Sequence, residues 1–290
     1  MAKLTLSVAV WDYDRTRPLI DGTVRIDGVE PTIMTLTPEE IFFRAFRDAP
    51  FDVCELSLSS FTLKTALGDC SYVGVPAFLS RAFRHTSIYV RKDRIKRPLD
   101  LKGRRIGVNV LNNIGTLLIS SVLQEHGMSV RDVHFVPVPF TALGLALKRH
   151  AVDVAWLPEP TASADEQSMG LQELVDLDQG ATEGFPVGWY VVTKAWAKKY
   201  PRTLAAFLAA LRAGQQIADG SRTAVEQAME KLPAPFTVSP AIAAVMSIET
   251  YPLTIAPDIN RVRIQRVADE MLQFHMLTQP FKVNTMLGGP

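Results

Sequence analysis

Residues 51–60, FDVCELSLSS, decide the fold, because residues 152–161, VDVAWLPEPT, repeat their form. Each stretch has Asp-Val, two further residues and a Leu, followed by polar or Pro-rich positions. Each is also preceded by an amphipathic pattern. PEEIFFRAFRDAP places Ile41, Ala45 and Phe46 at helical spacing, and FTALGLALKRHA does the same with Leu143, Ala146 and Leu147. A helix that feeds a short apolar strand is therefore expected twice.

Outward from the first copy, residues 4–10 (LTLSVAV) read as a strand that ends in the polar loop WDYDRTRP. After a turn at Asp21-Gly22, GTVRIDGVEPTIMTL reads as another. Thr37-Pro38-Glu39-Glu40 is a capping box with Pro at the first helical position, which predicts a helix to about Asp48. Around the second copy, RRIGVNV is a strand, NNIGTLLISSVLQEHG a capped helix ending at Gly127, and VHFVPV a strand. Val10 and Asp52 are 42 positions apart and Val108 and Asp153 are 45, so the two units agree in order and spacing.

Between the units, VPAFLSRAFRHTSIYVRKD reads as a long strand leaving the first, and FPVGWYVVTKAW as a strand coming back. Two crossing segments make a hinge. The remainder is helical, over residues 201–219, 221–231, 240–248 and 257–274, and is expected to pack on the first unit. The predicted fold class is α/β, with two doubly wound sheets in two lobes joined by a two-strand hinge. Residues 1–88 and 189–290 would form the first lobe and residues 89–188 the second. Open α/β sheets bind ligands at the carboxyl ends of their strands, so the expected site is a cleft between the lobes.

A chain of 290 residues, 47% hydrophobic and 21% charged, is long enough for two real cores. Lys and Arg number 31 against 30 Asp and Glu, which argues against a nucleic-acid or anionic-membrane partner held by bulk charge. No apolar run approaches the roughly 18–20 residues of a membrane span. The N-terminus runs straight into strand pattern without the layout of an export signal, which fits a cytoplasmic protein or the mature form of an exported one. Cys54 and Cys70 form neither a CxxC nor a metal pattern. A small buried thiol is the default for Cys54, and a disulfide to Cys70 is the alternative. His126, His134, His150 and His275 lack ligand spacing and Gly-rich phosphate motifs are absent, so no metal or cofactor is expected.

The candidate ligand-binding residues lie at the strand ends. Asp12, Tyr13, Asp14, Arg15 and Arg17 follow the first strand. Either arginine could fork onto a carboxylate or sulfonate, or the loop's acids and arginines could neutralise one another. Ser57, Ser59 and Ser60 follow the Asp-Val strand, where hydroxyls and a helix N-terminus favour an anion and also cap the helix. Arg81, Arg84 and His85 open the crossing strand. In the second unit Asn109, Asn112, Asn113, Gly115 and Thr116 form a strand-to-helix loop that suits an anion or a plain cap. Glu159 stands between Pro158 and Pro160, placed to accept a hydrogen bond from a ligand or to face solvent. Trp189 could stack on an aromatic ligand at the hinge or pack inside it.

The two-lobed layout resembles the type II periplasmic-binding-protein fold, and two parts of the chain resemble two of its branches. WDYDRTRPLIDG, EEIFFRAFRDAPFDVCELSLSSF and VPAFLSRAFRHTSIYVR, over about the first hundred residues, resemble the 4,5-dihydroxyphthalate decarboxylase family. That resemblance implies a carboxy-lyase in which His85 protonates the carbanion left by loss of CO2 while an arginine holds the neighbouring carboxylate. In that family a Pro-Glu-Tyr-Gln loop usually follows the strand at Gly107-Val108; here NVLNNIGT follows. From there on, GRRIGVNVLNNIGTLLISSVLQEHG, VDVAWLPEP, DLDQGAT and KYPRTLAAFLAAL resemble solute-binding proteins of the nitrate, sulfonate and taurine transporter group. That second resemblance implies a small anionic ligand and an ABC-type importer permease as partner. It is the leading expectation, because the chain has polar strand-end loops in two lobes but no evident nucleophile, metal cluster or cofactor motif.

Overall fold

The computed structural model describes residues 4–81, 87–232, 237–246 and 257–287. Its strands are β1 (Leu4–Val10), β2 (Val29–Thr35), β3 (Val53–Ser57), β4 (Tyr72–Arg81), β5 (Ser87–Arg91), β6 (Arg105–Val108), β7 (His134–Pro137), β8 (Val154–Leu157), β9 (Leu171–Asp176) and β10 (Pro186–Thr193). Its helices are α1 (Arg17–Ile20), α2 (Pro38–Asp48), α3 (Leu58–Ala66), α4 (Ile114–Glu125), α5 (Phe140–Lys148), α6 (Thr161–Met169), α7 (Lys194–Lys199), α8 (Pro201–Gly220), α9 (Arg222–Glu230), α10 (Pro240–Ala243) and α11 (Pro257–Gln273).

The strands form two sheets of one design, ordered β2-β1-β3-β10-β4 and β7-β6-β8-β5-β9. The first three strands of each order run parallel, and the fourth is antiparallel to both its neighbours. The α/β, two-lobed class read from the sequence is therefore the observed one. The repeated Asp-Val has a structural reason. Asp52 accepts from the Ser7 backbone N–H and from Ser7 Oγ at 2.9 Å, and Asp153 accepts from the Arg105 backbone N–H at 3.0 Å. Each carboxylate stands just before its strand and ties it to the neighbouring one, Asp52 at Ser7 in the middle of β1 and Asp153 at Arg105, the first residue of β6.

The chain leaves the first sheet after Arg81, opposite Pro186, and enters the second at Ser87, opposite Leu157. It leaves the second after Asp176, also opposite Ser87, and returns at Pro186. Both crossings thus join the sheets at the ends where β1, β3, β6 and β8 finish. The long crossing strand expected from the sequence is two strands of different sheets, and residues 82–86 between them lie outside the described residues. The second strand reading was also too long. Gly22 and Gly28, at φ 78° and 70°, turn the chain, and pairing starts at Val29.

One core cluster runs through both lobes, from Ala9, Cys54, Leu56 and Trp189 to Ile106, Leu117, Val154 and Trp156. A second fills the space between the first sheet and α8, with Val8, Val53, Tyr190, Phe207 and Leu211. α8 therefore packs on the first sheet, while the cluster of α9 and α10 has Ala164 of α6, in the second lobe, packed against it. α11 does more: it packs on α3 and β10 and also touches α4 of the second lobe, and Gln273 donates to Gln124 Oε1 at 2.6 Å. Cys54 and Cys70 are both free, so the disulfide alternative falls. Among the described residues no helix is long and apolar enough to cross a membrane.

Candidate functional site

The loop after β1 is built on a residue that the strand pattern hides. Glu55 sits mid-β3 on the face covered by α8, only 3% exposed. Its carboxylate accepts the Trp11 backbone N–H at 2.7 Å and the Tyr13 hydroxyl at 3.0 Å. Burial raises its pKa to about 7, against the lowering effect of those two bonds and of Arg15. Burial and the Glu55 charge push the Tyr13 phenol up as well. The signal for Glu55 was an acid inside an otherwise apolar run, FDVCELSL, which demands partners if the strand is buried.

The loop's acids and arginines pair with one another. Arg15 Nη1 lies 3.0 Å from Asp14, and its guanidinium stands 4.2 Å from the centre of the Tyr13 ring. Arg17 Nη2 lies 3.2 Å from Asp12, whose pKa burial raises despite that neighbour. Thr16 Oγ1 takes the Tyr13 N–H at 2.9 Å and closes the turn. Asp12, Tyr13, Asp14, Arg15 and Arg17 thus form one compact, partly buried cluster at the end of β1.

At the end of β3, Ser57 and Ser59 are buried and their hydroxyls lie 3.3 Å apart, with Ser60 next on α3. Ser57 holds the N-cap position yet makes no side-chain capping bond, so the capping half of its expected role is not what this structure contains. The second lobe does the reverse. Asn113 Oδ1 accepts from Gly115 N at 3.1 Å and Thr116 N at 3.4 Å, and Asn113 Nδ2 donates to Asn109 Oδ1 at 2.6 Å. Asn112 takes a left-handed backbone (φ 55°) that lets the chain turn into α4, and its side chain is exposed. Glu159 faces its own helix, accepting from Ser163 N at 3.1 Å and Ser163 Oγ at 2.8 Å. Its expected freedom to meet a ligand is reduced to that extent.

For Trp189 the packing alternative holds and the ligand-stacking one falls. It is fully buried, its indole N–H donates to Val75 O, and Phe78 stacks on it at 4.9 Å while Phe61 meets its edge at 5.5 Å. Gly74 makes room for the ring, so Trp189 is core and presents no face to a ligand. Arg84 and His85 lie outside the described residues, as does the side chain of Arg81. The candidates of the first lobe and those of the second form separate local clusters, and the helices that follow them, α3 and α4, touch. Among the described residues no group of His, Cys, Asp and Glu is arranged to hold a metal ion.

A family model described as NMT1/THI5 like matches residues 73–220. The 4,5-dihydroxyphthalate decarboxylases of Comamonas testosteroni and Pseudomonas putida are each 56% identical to the chain over 138 residues. Those residues are 47% of this chain and 42% and 54% of the two relatives, so the chain spans about half the length of the curated relatives it matches. Among solved structures, the alkanesulfonate-binding protein SsuA of Xanthomonas axonopodis pv. citri, bound to MOPS, superposes with a TM-score of 0.81 at 15% identity, with 99% of both chains covered. Identity at that level speaks for the fold alone: the periplasmic-binding-protein fold.

Proposed function

The chain belongs to the NMT1/THI5-like family, and from that premise we propose that it is a solute-binding protein that closes on a small organic anion. The observation that carries this reading is the double sheet order with both crossings at the finishing ends of the central strands. In that layout, residues 1–88 and 189–290 close against residues 89–188, and each lobe supplies half of the binding groups. From the first lobe come Arg15 or Arg17, by exchanging its present carboxylate for that of the ligand, with Ser57 and Ser60 at the uncapped start of α3. From the second come Asn109 and Asn112. The closed form is then the species a membrane permease recognises.

The test is a thermal-shift panel of alkanesulfonates, nitrate and aromatic carboxylates. At least one of them should raise the melting temperature in a saturable way, because a ligand that binds only the folded state stabilises it. Replacing Arg15 with Gln should weaken that compound about tenfold or more, the scale of one charge-assisted pair.

A second reading rests on the 56% identity to the two decarboxylases. The same cleft would hold a dihydroxylated aromatic dicarboxylate, an arginine would retain one carboxylate, and His85 would protonate the ring carbon as CO2 departs. One fold hosts both activities, so chemistry must decide. Incubation with 4,5-dihydroxyphthalate, followed by CO2 release, separates them: steady turnover replaces the binding reading, and saturable binding without CO2 supports it.

A further inference from the structure

At the end of its sheet away from the cleft, the second lobe carries a feature that the first lacks. Residues 91–105, RKDRIKRPLDLKGRR, hold eight Lys and Arg against two Asp, net +6 in a chain whose total is +1. Three of them, Arg91, Arg94 and Arg104, line a shallow recess together with the buried Ile95 and with Asp153. β5 runs from Ser87, at the cleft end, to Arg91, so the recess lies about 13 Å from the strand ends at ~3.3 Å per residue.

The acids nearby are already engaged. Asp153 takes the Arg105 N–H at 3.0 Å, Nε at 3.2 Å and Nη2 at 3.3 Å. Asp100 accepts from the backbone N–H groups of Lys96 and Arg97 and from the Arg97 side chain. Asp93 stands 3.5 Å from Arg91 Nε with its side chain largely exposed. Arg91 donates Nη1 to Leu147 O at 2.7 Å, and Arg104 donates Nε to Asp100 O at 3.3 Å. A guanidinium has five N–H donors, so each keeps others to offer. Arg94 is exposed and has no hydrogen-bond or ion-pair partner among the described residues.

The recess holds three guanidinium groups against one carboxylate, Asp153, whose oxygens Arg105 already engages, and planar guanidinium forks match a tetrahedral oxyanion well. We propose that Arg91, Arg94 and Arg104 form a binding site for a phosphoryl-class oxyanion, distinct from the cleft. In the first lobe the corresponding carboxylate, Asp52, is held by the uncharged Ser7, so the shared fold does not require the arginines.

The test is titration of the full chain with inorganic phosphate, in phosphate-free buffer at constant ionic strength, read by calorimetry and thermal shift. Saturable binding is expected. It should weaken about 100-fold in the Arg94→Gln/Arg104→Gln double variant, about tenfold for each charge-assisted hydrogen bond removed. Arg94→Gln alone, at an exposed position with no partner to lose, should weaken binding about tenfold without moving the phosphate-free melting temperature. It keeps the test decisive if the double variant is less stable. A second arm uses vesicles of phosphatidylcholine with and without phosphatidylglycerol. Retention on the anionic vesicles alone, abolished in the variants, identifies a lipid headgroup as the source of the phosphoryl group, whereas a phosphate response without retention identifies a free phosphate. The proposal is overturned if neither probe responds. It is equally overturned if the phosphate response survives intact in the variants, which places the anion elsewhere, the cleft included.

Discussion

The two lobes share a frame and differ in how they hold the loops that face each other. Val53 pairs with Val8 as Val154 pairs with Ile106, so Glu55 and Trp156 occupy the same place in the two sheets. In the first lobe that place holds a buried carboxylate, which fastens the loop through the Trp11 N–H and the Tyr13 hydroxyl. In the second it holds an indole that lies against Gly115 and meets Phe140 at 5.2 Å, while Asn113 caps the helix. Topology is thus set by what both lobes have, and the polarity of each cleft wall by what only one has. The loop after β1 rests on charged, titratable groups, the loop after β6 on neutral amides.

The packing half of this comparison should give the largest effect. A Cβ at Gly115 would run into the Trp156 ring, and one at Gly74 into Trp189. Helix propensity alone would make Gly115→Ala stabilising by about 1 kcal/mol, whereas overpacking costs about 3 kcal/mol in a core that cannot give. Urea denaturation of Gly115→Ala and Gly74→Ala should show losses of that size in both lobes. A stabilised Gly115→Ala would mean that Trp156 moves freely and does not brace its loop.

The next largest effect tests the shared frame. Removing Asp52 strands the Ser7 N–H and hydroxyl, and removing Asp153 strands the Arg105 N–H, so each change to Ala should cost about 2 kcal/mol. The cost of Asp153→Ala should fall with salt, because its extra partner is the half-exposed Arg105 side chain, while that of Asp52→Ala should not. Equal salt dependence in the two variants would break the distinction.

Much of this frame was legible. The Asp-Val repeat, the Thr37 cap, whose Oγ1 takes the Glu40 N–H at 3.3 Å, and the matched spacings all follow from local chemistry that one stretch of chain contains. What was not legible depended on distant residues. β3 is covered on both faces, and one cover is α8, which begins at Pro201, so the run FDVCELSL marks Glu55 as an acid in an apolar strand without showing that its partners are the Trp11 N–H and the Tyr13 hydroxyl. The choice between stacking on a ligand and packing inside the hinge stayed open for Trp189 because Gly74, which receives its ring, is far away in sequence. The arginines of the first loop were legible as a cluster, but their pairing with Asp12 and Asp14 needed the turn that Thr16 closes.

A smaller effect concerns the support of the loop after β1. The Glu55 pKa is raised from 4.5 to about 7, so between those values the folded chain keeps a proton that the unfolded chain has released. Its contribution to stability is therefore fully present below about pH 4.5 and is lost as pH rises through about 7. Glu55→Gln removes this dependence. The stability of the variant relative to the wild type should rise by about 2 kcal/mol from about pH 5 to about pH 8, the scale set by ~1.4 kcal/mol per unit. A flat difference across that range would show that Glu55 stays ionised throughout, and that the support of that loop does not titrate.

The smallest effect compares the starts of α3 and α4, the two helices that touch. Asn113 satisfies the Gly115 and Thr116 N–H groups of α4, and Asn113→Ala should cost about 1 kcal/mol, as the loss of a cap does. Ser57 stands at the same position on α3 without a capping bond, so Ser57→Ala should cost no more than a few tenths of a kcal/mol, well below the cost of losing a real cap. The asymmetry matters for binding, because backbone donors left open at α3 are available to an anion and those closed by Asn113 are not. If Ser57→Ala proves as costly as Asn113→Ala, the hydroxyl is acting as a cap in solution. The anion would then have to be held by the arginines of the first loop rather than by the start of α3.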